Sequence, residues 1–193
     1  MAGPTERAPT LSDLMGRTIH ATMSPERGCS MARFHLQPVS DHSIFETAKY
    51  TYTYTLDLAA DADTVWAGLT ADQPLAWCSA LKGQYTSGRP FGSGTTRNVV
   101  VARLLRLNER FFEWDESNRR HSFYVESASL PLFGVFAEDY QITPTATGCR
   151  FVWRFALEAR PGLGVLLAVT QPLNKKVLLD GLVRDTIAHF GRA

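Results

Sequence analysis

Two charged residues interrupt otherwise apolar alternations in this chain, and any chemistry would start from them. Arg97 stands at period-two spacing with Val99 and Val101, and Glu138 with Tyr140 and Ile142. Residues two apart in a strand share a face, so each charge falls on a face that is otherwise apolar. A charge there must be paired or face a polar cavity, because unpaired burial is costly. Two readings stay open. Each side chain snorkels to solvent from a sheet edge, or Arg97 and Glu138 form a polar pair inside a cavity, where they orient a ligand or move a proton. Rings supply the rest of the candidate wall: Tyr50, Tyr52, Tyr54, Phe151, Trp153 and Phe155 also fall on apolar strand faces. They suit ordinary core packing, or a cavity where rings give area and a hydroxyl gives one oriented hydrogen bond.

Other chemistries lack their residues. Gly92-Ser-Gly-Thr-Thr96 is neither a complete dinucleotide fingerprint nor a phosphate-binding loop, and no G-x-S-x-G elbow occurs. His121 and His189 are far apart, with no readable Ser/His/Asp set. His35 and His42 have no third ligand at a useful spacing, so no metal is expected. Lys175-Lys176 has no basic neighbours and no interleaved aromatics, which offers little to RNA. Asp115-Glu116 beside Arg119-Arg120 reads as a solvated turn, and Tyr124 and Glu126 are expected to face outward, opposite Phe123 and Val125.

These side chains need elements to hold them. Tyr50, Tyr52, Tyr54, Leu56 and Leu58 alternate with Lys49, Thr51, Thr53, Thr55 and Asp57, which predicts a half-buried strand. Asp61 or Asp63 can then cap a helix carrying Val65, Trp66 and Leu69. After Pro74 a second short helix is expected to carry Leu75, Trp77 and Leu81. Residues 95–107 predict one long strand, with a turn at Asn108-Glu109 and further strands over 110–115, 121–128, 137–143 and 149–158. Short turns between sequential strands mean an antiparallel meander. Pro161-Gly162 ends it. From Leu163 to Phe190 the apolar spacing becomes helical, with Pro172 expected to kink or divide the helix.

This order resembles the helix-grip fold of the START-like (SRPBCC) superfamily, which includes polyketide cyclase/dehydrase and lipid-transport proteins and Bet v 1-like proteins. The residues that carry the resemblance are Leu58 to Trp66 entering the first helix, Trp77, Gly92 to Arg97 opening a strand, Glu109 to Asp115, Thr147 to Trp153, and the terminal helix. It covers about residues 47–190 and implies an α+β fold, a curved antiparallel sheet wrapped around a long C-terminal helix with two short helices after the first strand. It also implies an internal cavity for an apolar molecule such as a lipid or polyketide. On that basis the expected ligand-binding residues are Tyr52, Tyr54, Trp77, Arg97, Val99, Glu138, Tyr140, Trp153 and Phe155, with no metal and no fixed cofactor. Three functions fit the resemblance: a binding, transport or sensing protein for a small hydrophobic or aromatic ligand, an aromatase/cyclase or dehydratase, or a protein-interaction module. A fold alone does not choose among them.

Composition sets the outer bounds. The 193 residues hold 20 basic and 19 acidic side chains, a formal net charge of +1. That balance argues against nucleic-acid or anionic-membrane binding built on general electrostatics. Cys29, Cys78 and Cys149 show no paired spacing, which favours a reducing, cytoplasmic setting. No secretory signal is visible, and the most apolar stretch, Leu163 to Thr170, is too short to span a bilayer. All four methionines lie in the first 31 residues, and all four tryptophans come later. Residues 1–42 therefore read as a flexible or loosely docked leader to a domain over 43–193. Translation starting at Met23 or Met31 is an equally physical account of that shift.

Overall fold

The structure, a computed structural model, describes residues 33–193 apart from the side chains of residues 171–174, 177 and 178. Residues 1–32 of the leader expected over 1–42, with the alternative starts at Met23 and Met31, lie outside the described residues.

The alternating segment forms β2 (Tyr50–Leu58), with its tyrosines and leucines on the inner face. It pairs antiparallel with β8 (Gly148–Ala159), Tyr52 opposite Phe155 and Tyr54 opposite Trp153. Asp61 caps α2 (Ala62–Thr70) by accepting from the Thr64 N–H at 2.7 Å. The second helical segment is reduced to two successive turns: the Cys78 N–H donates to Leu75 O at 2.9 Å and the Leu81 N–H to Cys78 O at 3.0 Å. Leu75 has φ 59°, a conformation no right-handed helix continues through, and Leu81 opens β3 (Leu81–Tyr85).

The expected strand over 95–107 is in fact two, β4 (Thr96–Val101) and β5 (Leu105–Asp115). Ala102 and Arg103 turn the chain with φ 49° and 62°, and the Leu104 N–H donates to Val101 O at 3.0 Å. Neither position carries the glycine or asparagine that such a turn favours, so the sequence hides it. Asn108-Glu109, read as a turn, lies inside β5 at a register shift against β6 (Arg120–Ala128). β7 (Phe133–Thr145) then leads into β8 through a turn at Gly148, φ 146°, where a Cβ would meet Leu58 O at 2.0 Å.

The strands follow one another in the order β2-β8-β7-β6-β5-β4-β3, all antiparallel. Register shifts in β5 and β7 bend the sheet. Its concave side grips the C-terminal helix, which runs as α3 (Gly164–Asn174), a π-helical stretch Lys175–Leu179, and α4 (Asp180–Phe190). Pro172 lies within α3 and does not divide it; the winding changes just beyond it, at the π-helical stretch. The result is the α+β helix-grip architecture.

Residues before β2 complete the outer face. β1 (Phe34–His35) pairs with the end of β6, Phe34 opposite Ala128, where β7 has parted from it beyond Tyr124. The Leu36 N–H donates to Glu126 O at 3.0 Å and the Gln37 N–H to Gly134 O at 2.8 Å, so this segment satisfies both separated strands. Val39, Phe45 and Ala48, around α1 (Ile44–Thr47), then bury Tyr124, Val135, Ala137 and Ala156. Tyr124 does face outward, but under this cover. Phe34 and His35, on the leader side of the boundary expected at 42, are thus part of the sheet, and Leu36 and Gln37 are hydrogen-bonded to it. No helix among the described residues is long and apolar enough to cross a membrane.

Candidate functional site

Between the concave sheet face and α4 lies a cavity of about 60 Å³. Period-two alternation supplies most of its wall, and Leu179 and Leu182 close it from the helix. Arg97, Val99, Glu138, Tyr140, Trp153 and Phe155, all singled out from the sequence, line it together. Tyr52, Tyr54 and Trp77 do not. Tyr52 is half-buried at the core's margin, and the Tyr54 hydroxyl donates to Asp180 Oδ1 at 3.0 Å. The Trp77 indole N–H donates to Thr186 Oγ1 at 3.0 Å, with its ring stacked on His189. Tyr54 and Trp77 tie β2 and the turn after α2 to the C-terminal helix.

Arg97 and Glu138 are both buried, as the cavity reading requires, but the expected Arg97–Glu138 pair does not form. Arg97 Nε donates to Glu109 Oε2 at 2.6 Å. Cross-strand register explains the choice, since Arg97 on β4 lies directly opposite Glu109 on β5. The guanidinium also rests over Phe123 at 4.5 Å and Phe111 at 5.1 Å. Its Nη1 is buried without a hydrogen-bond partner among the described residues. Sequence reasoning missed Glu109 because it placed a turn there. The signal was the alternation Leu105, Leu107, Glu109, Phe111, which the register shift does not disturb on β5 itself.

Glu138 has its own partners. Its Oε2 accepts from the Tyr140 hydroxyl at 2.8 Å and from the Trp153 indole N–H at 2.9 Å. Burial, and then the Glu109 carboxylate, push its pKa up to about 7, against the pull of those two donors and Arg97. Burial also raises Glu109, with Arg97 pulling it back. Burial and then the Glu138 charge hold Tyr140 well above the usual phenol range, so it acts as a donor. The cavity thus carries one fixed cation and one acid poised to exchange a proton near neutrality.

His121 lies beside this site, fully buried among Trp66, Trp114, Phe111 and Tyr140. Neither ring nitrogen has a hydrogen-bond partner among the described residues, and burial, then the Arg97 charge, bring its pKa down to about 3. It is a neutral core histidine. Asp115-Glu116 is more than a solvated turn: Glu116 accepts from the Trp66 and Trp114 indoles at 2.7 and 2.8 Å.

On the outer face, His42 Nε2 lies 2.8 Å from Glu113 and 3.4 Å from Asp139, a grouping whose ligand atoms could hold a metal. Arginines already fill the cation's place. Asp139 accepts from Arg120 at 2.9 Å and Arg154 at 2.7 Å, and from Ser122 at 2.6 Å. The cluster is an ion-pair network that fastens the segment before β2 to the sheet.

Comparison with known proteins agrees with this geometry. A family model described as polyketide cyclase / dehydrase and lipid transport matches residues 49–185. An uncharacterized protein of Mycobacterium tuberculosis is 34% identical over 157 residues, covering 78% of this chain and 93% of its own. A START superfamily protein from Mycobacterium smegmatis superposes with TM-score 0.57 at 12% identity, covering 72% of this chain and 96% of its own. The Zhui aromatase/cyclase from a Streptomyces species does so with TM-score 0.54 at 17% identity, covering 72% and 94%. At those identities the two structures speak for the fold alone.

Proposed function

The chain belongs to the polyketide cyclase / dehydrase and lipid transport family, and from that membership we propose that it binds a small apolar or aromatic molecule in the helix-grip cavity. The observation that carries this reading is an apolar cavity lined by Arg97, Glu109 and Glu138, with Arg97 Nη1 buried and unpartnered among the described residues. Apolar burial supplies affinity, and an acceptor atom on the ligand meets Arg97 and sets its orientation. Sites for drug-sized molecules run to roughly 300–1,000 Å³. A cavity of about 60 Å³ is smaller than the roughly 150 Å³ that holds a benzene ring, so a ring, lipid or polyketide chain would enter only as the C-terminal helix moves off the sheet. The free thiols of Cys78 and Cys149 accord with a cytoplasmic setting.

Native mass spectrometry of freshly purified protein, with titration of fatty acids and fluorescent apolar probes, tests this. Expected is a co-purified species or saturable uptake; neither being seen overturns it.

One observation favours a second reading, an aromatase/cyclase- or dehydratase-type enzyme. An acid with a pKa of about 7 inside the cavity is matched to proton transfer at neutral pH. It predicts turnover of an aromatisable β-ketone substrate that falls at least about 100-fold in Glu138→Gln.

A further inference from the structure

Every large hydrophobic side chain that the described residues leave exposed belongs to one end of the sheet. These are Leu104 (78% exposed), Leu130 (42%), Val165 (79%), Leu166 (47%) and Val169 (73%). Antiparallel connectivity puts them there. Leu104 is in the β4–β5 hairpin, Leu130 in the β6–β7 connection, and the other three are on α3, which follows the same end of β8. Hydrogen bonds join the pieces. The Arg106 N–H donates to Ser129 Oγ at 3.0 Å, the Ser129 N–H to Arg106 O at 2.9 Å, and the Arg160 N–H to Leu132 O at 3.3 Å. The rim segments 102–106, 129–132 and 160–170 carry Arg103, Arg106 and Arg160 and no aspartate or glutamate. Arg103 and Arg106 are exposed. Val101, Leu105 and Phe133, next to the two hairpin tips, line the cavity.

We propose that this rim is a docking surface for an anionic lipid bilayer. Projecting aliphatic tips with arginines between them match the layering of a membrane interface, acyl boundary below and phosphates above. Charge selects this occupant over a second copy of the chain: two rims face to face would set arginine against arginine with no acid to meet either. The net charge of +1 concealed the feature because acids elsewhere cancel it in the sum. Docking is peripheral and requires no spanning helix. It stands whether or not the cavity binds a ligand.

Co-sedimentation of the full chain with phosphatidylcholine vesicles, and with vesicles containing about one-quarter phosphatidylglycerol, tests it. The expected result is selective binding to the anionic vesicles that weakens as salt is raised. Leu104→Glu with Val165→Glu lowers vesicle affinity at least about tenfold, and Arg103→Glu by a smaller factor that vanishes at high salt. All three positions are exposed, so near-UV circular dichroism of the variants stays that of the parent. Absence of vesicle binding overturns the proposal. So does binding that the variants leave unchanged, or a dimer in light scattering that Leu104→Glu dissolves.

Discussion

Arg97 and Glu138 stand in one cavity but answer to different partners, and substitution can separate their roles. Arg97→Met leaves Glu109 buried and unpaired and is expected to cost roughly 3–5 kcal/mol. Adding Glu109→Met recovers most of that loss, because the remaining charge goes with it; urea unfolding of the two variants checks the non-additivity. Glu138 gives a pH signature. Its folded pKa of about 7 lies above the ordinary 4.5, so its favourable contribution is complete below about 4.5 and is lost as pH rises through about 7. Glu138→Gln keeps an acceptor for Tyr140 and Trp153 without a charge. At pH 8 it is expected to be more stable than the parent by roughly 3 kcal/mol, with little difference near pH 4. Equal gains at both pH values would contradict a raised Glu138.

Two local elements carry consequences of their own. The β4–β5 turn holds Ala102 at φ 49°, where an L-residue other than asparagine or aspartate is disfavoured. Ala102→Asn is expected to raise stability by about 0.5 kcal/mol, read as a higher melting temperature. The segment before β2 is a structural cover. Phe45 packs on Tyr124, Val135, Ala137 and Ala156, with the Arg154 guanidinium 5.0 Å from its ring. Phe45→Ala is expected to cost roughly 3 kcal/mol in chemical denaturation while leaving the composition of the cavity wall unchanged. His42 beside it holds the same segment through polar contacts, its Nε2 2.8 Å from Glu113 and 2.9 Å from Ser122 Oγ.

Across the whole molecule, the cavity and the stability of the fold should be separable. Leu182 on α4 lines the cavity together with Val99 and Trp153. Leu182→Phe places more volume in existing space, so unfolding is expected to stay within about 1 kcal/mol of the parent while probe uptake is lost. Loss of stability with uptake retained would show that the probe binds elsewhere. Much of this arrangement was legible in the sequence. The β2 alternation, a cap at one of Asp61 and Asp63, the strands that became β6 to β8 and the terminal helix all stand, because each is set by local spacing and capping chemistry. The split between β4 and β5 was not legible, since Ala102-Arg103 carries no turn residue and Asn108-Glu109 imitates one. That single substitution of one turn for another hid Glu109.

The sequence by itself determined which faces are apolar, where charge interrupts them and which family the chain resembles, because period and residue type act within a few positions. Tertiary structure alone decided the partners. It put Arg97 opposite Glu109, gave Glu138 to Tyr140 and Trp153, and kept Tyr52, Tyr54 and Trp77 outside the cavity. It also gathered dispersed leucines, valines and arginines onto one rim. Cross-strand register and the ends at which connections fall fix those neighbours, and both are properties of the assembled sheet, not of any window of chain.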